Sequence, residues 1–119
     1  LKITLNGGIT EYNEVIGHLG HVDGVMLGRA IYHQPYLLAD IESRVFGKKT
    51  ISRTREQVLI DYMGYIKKQL KEGVPIRAMT RHILGLYHGQ NNAKFFRRLL
   101  SGKTVELGHL DEWLEFIKK

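Results

Sequence analysis

Two short apolar segments, each ending in a glycine-rich turn, constrain this chain more than anything else in it. Residues 3 to 9 read I-T-L-N-G-G-I, and residues 22 to 29 read V-D-G-V-M-L-G-R. The spacing predicts a strand over Leu1 to Leu5 followed by the turn Asn6-Gly7-Gly8, and a second strand over Asp23 to Leu27 followed by Gly28-Arg29. Between them Glu11 to Leu19 reads as a short helix. Thr10 is placed to cap it, Glu11 and Glu14 sit near its positive end, and Gly20 closes it. Strand, helix and strand within 28 residues make a βαβ unit, whose strands run parallel.

Such a unit is incomplete. Parallel strands are normally buried on both faces, and a closed barrel needs eight of them. The missing cover must come from the rest of a barrel, a partner chain or a domain swap. The chain also opens directly in a strand with no initiator methionine, which fits a start within a longer polypeptide or a processed product.

The two turns carry the clearest chemistry. A phosphate needs several converging N–H groups and a positive charge, and glycine lets the backbone approach without a Cβ in the way. Asn6, Gly7 and Gly8 follow one strand, and Gly28 and Arg29 follow the next. In (β/α)8 TIM barrels a phosphate often sits between the loops after the last two strands. The expectation is therefore the last two strands of such a barrel, with these five residues as a phosphate cradle. The plainer account is two tight βα turns and nothing more. His33, close to the second turn, either touches a ligand or shapes the loop. His18 and His21 flank Gly20 at the opposite end and are expected to be exposed. His82, His88 and His109 show no metal-ligand spacing, and there is no cysteine. No catalytic pair is visible; a barrel enzyme draws its reacting groups from several strand ends, and six strands would lie elsewhere.

Beyond the second turn the pattern becomes helical. Ala30 to Phe46 reads as helix broken at Pro35, with Tyr36, Leu37, Ala39, Ile41 and Phe46 as its apolar face. Gly47-Lys48-Lys49 interrupts the pattern, so the expected domains are 1–46 and 47–119. Thr54 to Glu72 is a helix opened by a Thr54/Gln57 capping box, with Val58, Leu59, Tyr62, Ile66 and Leu70 inward, and Gly73 ends it. A second helix is expected from Pro75 to about His88, with Ile76, Met79, Ile83 and Tyr87 on one side and Gly85 as its weak point. A third covers Asn92 to Ser101 and a fourth about Val105 to Lys118, making a small bundle. The fold class is thus α/β followed by all-α.

Charge separates the same two regions. The net charge is +6, yet residues 1 to 43 hold two basic and five acidic groups, whereas residues 44 to 103 hold fourteen basic and three acidic ones. An excess concentrated in sixty residues points to a polyanion partner. Arg77 and Arg81 lie one helical turn apart; Lys94, Arg97, Arg98 and Lys103 follow. The interleaved aromatics Phe95 and Phe96 read as core at their helical spacing, and Lys67, Lys68 and Lys71 as solvated surface. An apolar fraction of 43% argues against disorder, no apolar run reaches membrane-spanning length, and no signal peptide is visible.

The strings N-G-G-I at 6 to 9, D-G-V-M-L-G-R-A at 23 to 30 and Y-H-Q-P-Y-L-L-A at 32 to 39 resemble the flavin-dependent tRNA-dihydrouridine synthases. T-R-H-I-L-G-L-Y-H-G at 80 to 89 and F-F-R-R-L-L-S at 95 to 101 are similar to the A-type branch of that family. The resemblance covers nearly the whole chain and weakens after about residue 103. It implies a cytoplasmic tRNA-processing flavoprotein, an oxidoreductase that binds FMN in a TIM barrel, takes electrons from NADPH and reduces a uridine of the tRNA D-loop. By that resemblance Asn6, Gly7, Gly8, Gly28 and Arg29 cradle the FMN phosphate, and Arg77, Arg81, Lys94, Arg97 and Arg98 lie on an RNA-binding face. The family's catalytic cysteine belongs to an earlier strand, so no catalytic residue is assigned and the isolated chain is expected to be inactive. The competing readings are another phosphate- or flavin-binding barrel oxidoreductase, and a freestanding helical RNA-binding module.

Overall fold

A computed structural model describes residues 1–47, 53–102 and 104–118. The chain divides into two compact units, Leu1–Ser52 and Arg53–Lys119. Lys48, Lys49 and Lys103 lie outside the described residues.

The first unit opens with β1 (Thr4–Asn6), α1 (Tyr12–Leu19) and β2 (Gly24–Met26), followed by the short α2 (Arg29–His33) and by α3 (Leu37–Val45). The two strands pair in parallel, with Thr4 opposite Gly24, Leu5 opposite Val25 and Asn6 opposite Met26. Both are shorter than the sequence pattern suggests, because the ladder begins only at Thr4. Ile3 instead anchors the entry: its amide donates to Asp23 Oδ2 at 2.8 Å, and its carbonyl accepts from Asp23 and Gly24. The alternation of a strand sends Leu5 and Val25 to the helix side. There they pack with Leu19, Leu27, Leu37 and Val45 around buried Ile9, Val15 and Ile41. Thr4, Asn6 and Met26 face away and are exposed, so among the described residues the sheet is open and unclosed.

Thr10 does not cap α1. Its hydroxyl donates to Glu14 Oε1 at 2.9 Å, and the N-cap position falls to Glu11, which makes no side-chain cap. The expected helix from Ala30 to Phe46 breaks in two around Pro35, and Phe46 is exposed rather than part of the apolar face.

The second unit is helical: α4 (Arg55–Lys71), α5 (Arg77–Thr80), α6 (Ala93–Ser101) and α7 (Leu107–Lys118). The capping box forms at the start of α4. Gln57 N donates to Thr54 Oγ1 at 3.1 Å, and Thr54 N to Gln57 Oε1 at 2.8 Å. At its end Val74 N reaches Gln69 O, Gly73 N reaches Leu70 O, and Gly73 takes φ +88°. This is a Schellman stop, and the positive φ is why a glycine stands there. Inward positions of α4 are Leu59, Met63 and Ile66, whereas Leu70 is partly exposed; Met63 replaces it because it lies squarely between Leu59 and Ile66 on the helix.

The largest departure from the sequence pattern follows Pro75. Instead of one helix to His88, α5 makes a single turn, and residues 81 to 92 form a chain of tight turns. Their hydrogen bonds span three residues, as from Ile83 N to Thr80 O and from His88 N to Gly85 O. Tertiary contacts hold this path. Arg55 Nε donates to Leu86 O at 3.0 Å, and the Tyr87 hydroxyl donates to Glu56 Oε2 at 2.7 Å. Leu86 and Tyr87, adjacent in sequence, are both buried. Around Trp113 the rings of Tyr87 and Phe96 each lie 4.9 Å away, centroid to centroid. Phe96 is core as expected, but Phe95 is half exposed, since the next position on α6 turns about 100° away from the core.

Candidate functional site

In the first unit the two glycine turns converge. Asn6, Gly7, Gly8, Gly28 and Arg29 line one hollow of about 520 Å³, joined by Ile9, Thr10, Met26 and Ala30. That size falls within the ~300–1,000 Å³ usual for small-molecule sites. The parallel pairing explains the convergence. Asn6 and Met26 are register partners, so the turns that follow them leave the sheet at the same end. Gly7 and Gly8 have φ of +114° and +67°, backbone that other L-residues rarely adopt, and a Cβ at either would meet nothing within 4 Å. The glycines are thus required by conformation, and the space in front of them is open. Among the described residues, no protein acceptor takes the amides of Gly7, Gly8, Gly28 or Arg29. Free amides beside a guanidinium are the donor set that a phosphate needs.

Sequence reasoning missed the contributions of Ile9, Thr10, Met26 and Ala30. Their place follows from the fold of the turns, and Ile9 serves the core as well. His33 does not line the hollow; its ring packs edge-on against Tyr32, centroids 5.7 Å apart. His18 and His21 are exposed. Among the described residues, no group of three His, Asp or Glu side chains converges on a metal position.

The second unit carries the basic residues. Arg77 and Arg81, one turn apart, line a groove of about 300 Å³ together with Thr80, Leu84, Leu100 and Ser101. The Thr80 hydroxyl is engaged within the fold, donating to Leu100 O at 3.3 Å. Lys94, Arg97 and Arg98 are exposed and do not line that groove. Helical spacing puts all three on the face of α6 that ends at Ser101, itself a lining residue of the groove. The five cations thus belong to a groove and an adjoining helix face, rather than to one pocket.

A βαβ segment whose two glycine turns share one hollow, followed by a basic helical unit, places the chain among α/β proteins with an added helical region. The chain belongs to the dihydrouridine synthase family: the family described as "Dihydrouridine synthase (Dus)" matches residues 1–118. Among its relatives, a tRNA-dihydrouridine(20/20a) synthase of Xanthomonas campestris is 46% identical over 101 residues, which are 85% of this chain and 30% of that protein. The tRNA-dihydrouridine(20/20a) synthase of Pseudomonas putida is 45% identical over 122 residues, covering 99% of this chain and 36% of that protein. The protein of that name from Synechocystis is 40% identical over 105 residues, 88% of this chain and 31% of that protein. The chain thus spans about a third of the length of these curated relatives. Among the described residues, no helix is long and apolar enough to cross a membrane.

Proposed function

We propose that the chain is the carboxyl-terminal portion of an A-type, FMN-dependent tRNA-dihydrouridine synthase that reduces a uridine of the tRNA D-loop. In this reading residues 1–46 finish a TIM barrel and residues 47–119 form the tRNA-binding domain. The observation that carries it is the hollow shared by Asn6, Gly7, Gly8, Gly28 and Arg29, with free amides, open space and a guanidinium around it.

Within that hollow the amides of Gly7, Gly8 and Gly28 donate to phosphate oxygens of FMN, and Arg29 supplies the opposing charge. Asn6, at the end of β1, orients the turn or adds a side-chain donor. Bound FMN supplies hydride chemistry for the uracil ring, with NADPH as the electron source. This chain's part is to hold the cofactor by its phosphate and to hold the RNA. The acid that completes the reduction stands on the remainder of the polypeptide, so the isolated piece has no synthase activity. Arg77, Arg81, Lys94, Arg97 and Arg98 bind the tRNA backbone, each phosphate contact releasing counterions. The family match to tRNA-acting relatives and the basic excess of residues 44 to 103 support this face.

The test uses the full polypeptide and separates the two roles. Arg29→Ala lowers FMN content measured by flavin absorbance after desalting, while tRNA affinity changes little. The pair Arg77→Glu and Arg81→Glu keeps FMN and weakens tRNA binding by roughly tenfold or more, with a shallower salt dependence. Unchanged FMN content in the first variant would remove Arg29 from the cradle.

A further inference from the structure

A second groove in the helical unit has a different chemistry. Tyr62 and Tyr65 stack on α4 with ring centroids 5.6 Å apart and 22° between planes. With Leu59, Leu86, Arg53 and Asp61 they line a hollow of about 330 Å³. Its floor is firm, since Leu59 and Leu86 are essentially buried. Tyr62 is fixed by its hydroxyl, which donates to Met79 O at 2.9 Å, and burial raises its pKa, keeping that donor protonated. Tyr65 is different: it is 49% exposed, yet its ring is already held in a stack.

The charges around the rings are arranged as well. Asp61, the acidic residue on this wall, forms an ion pair with Arg53. Lys68 lies three residues past Tyr65 and seven past Asp61, on the same side of α4. Along that side of α4 a neutralised carboxylate and a half-exposed ring line the hollow, and an ammonium group follows just beyond it. A groove for an apolar protein segment would need no cation beside its aromatic wall. This one lies in the part of the chain where basic groups exceed acidic ones by fourteen to three. A planar, uncharged ring joined to a negative phosphate fits such a wall, the ring on Tyr65 and the phosphate toward Lys68.

We propose that this groove is a stacking subsite for one unpaired nucleobase of the bound RNA, with Tyr65 as the platform and Lys68 beside the adjoining phosphate. The inference rests on the tRNA-binding reading above, but concerns a contact to a base and not to the backbone. It adds a contact that charge alone would not reveal.

The test uses the full polypeptide with its tRNA. Tyr65→Ala weakens affinity by roughly 5- to 100-fold, the range for loss of one base–aromatic stack, and leaves the salt dependence unchanged because no phosphate contact is lost. Tyr65→Phe retains affinity. Lys68→Ala weakens binding less and lowers the salt dependence. Thermal unfolding of each variant checks that the fold is kept, and tRNA carrying 4-thiouridine at unpaired positions crosslinks to residue 65 of the unsubstituted protein. Wild-type affinity in Tyr65→Ala, beside a loss in the Arg77→Glu and Arg81→Glu variant, overturns the subsite and leaves the RNA reading standing. A fall in thermal stability with affinity intact also overturns it, and assigns the ring to packing of the fold. No tRNA binding by the unsubstituted protein overturns the broader reading.

Discussion

The two units solve the problem of a core in opposite ways. Among the described residues the first buries four apolar side chains, Ile9, Val15, Ala30 and Ile41, while the second buries eleven, from Leu59 to Trp113. The first leaves Leu1, Ile3, Met26 and Phe46 exposed and ends its sheet after two strands. The second closes an aromatic cluster around a fully buried Trp113. A two-stranded parallel sheet has open edges and one uncovered face, so it buries few apolar side chains. Helices need only each other, and short connections suffice. What the first unit brings together is the pair of turns at the sheet end, where the candidate site lies.

That contrast can be broken by substitution. Trp113→Ala removes the largest buried side chain of the second unit, at a cost of about 3–5 kcal/mol in chemical denaturation; Ile41→Ala in the first costs about 2 kcal/mol, the low end for such truncations. Equal losses would mean that the first unit is packed as tightly as the second.

Tyr87 gives a sharper probe. Burial pushes its hydroxyl well above the ordinary phenol value, and the Glu56 carboxylate it donates to acts in the same direction. The unfolded chain releases this proton near pH 10, while the folded chain keeps it. The folded state therefore binds more protons above that pH, and stability falls as pH rises past about 10. Tyr87→Phe costs about 1–3 kcal/mol at neutral pH, because Glu56 loses a partly buried donor, and it removes this share of the alkaline loss. Denaturation curves at about pH 8 and about pH 11 separate the two effects; an unchanged alkaline slope would assign the loss to other groups, Tyr62 among them.

The smallest effect tests local sequence alone. Thr54→Ala breaks the capping box of α4 and costs about 1 kcal/mol, with Gln57 left bonding the backbone from one side only. A much larger loss would show that this helix start also serves tertiary packing.

These expected effects follow how far each feature is legible in the sequence. The capping box at Thr54, the stop at Gly73 and the glycine turns are short-range devices, so neighbouring residues reveal them. The helix expected from Pro75 to His88 failed for the opposite reason. Its 3.6-residue pattern is present in Ile76, Met79, Ile83 and Tyr87, but Arg55 and Glu56, about thirty residues earlier, hold Leu86 and Tyr87 in turns. Phe95 falls at a core spacing yet is half exposed, because spacing alone does not show on which side of a helix the core ends. Of the residues that line the hollow, Asn6, Gly7, Gly8, Gly28 and Arg29 are legible from glycine and charge, while Thr10, Met26 and Ala30 are not, since ordinary side chains at a turn give no signal.

The order of residues by itself determined the succession of strand, helix and strand, the two turns that follow the strands and the segregation of positive charge, because each depends on contacts within a few residues or on composition. Tertiary structure decided that the turns meet around one hollow, that residues 81 to 92 abandon the helix, and that Tyr62 and Tyr65 wall a groove. Those outcomes depend on which distant groups accept each hydrogen bond and cover each apolar face, and that choice is made only when the chain packs on itself.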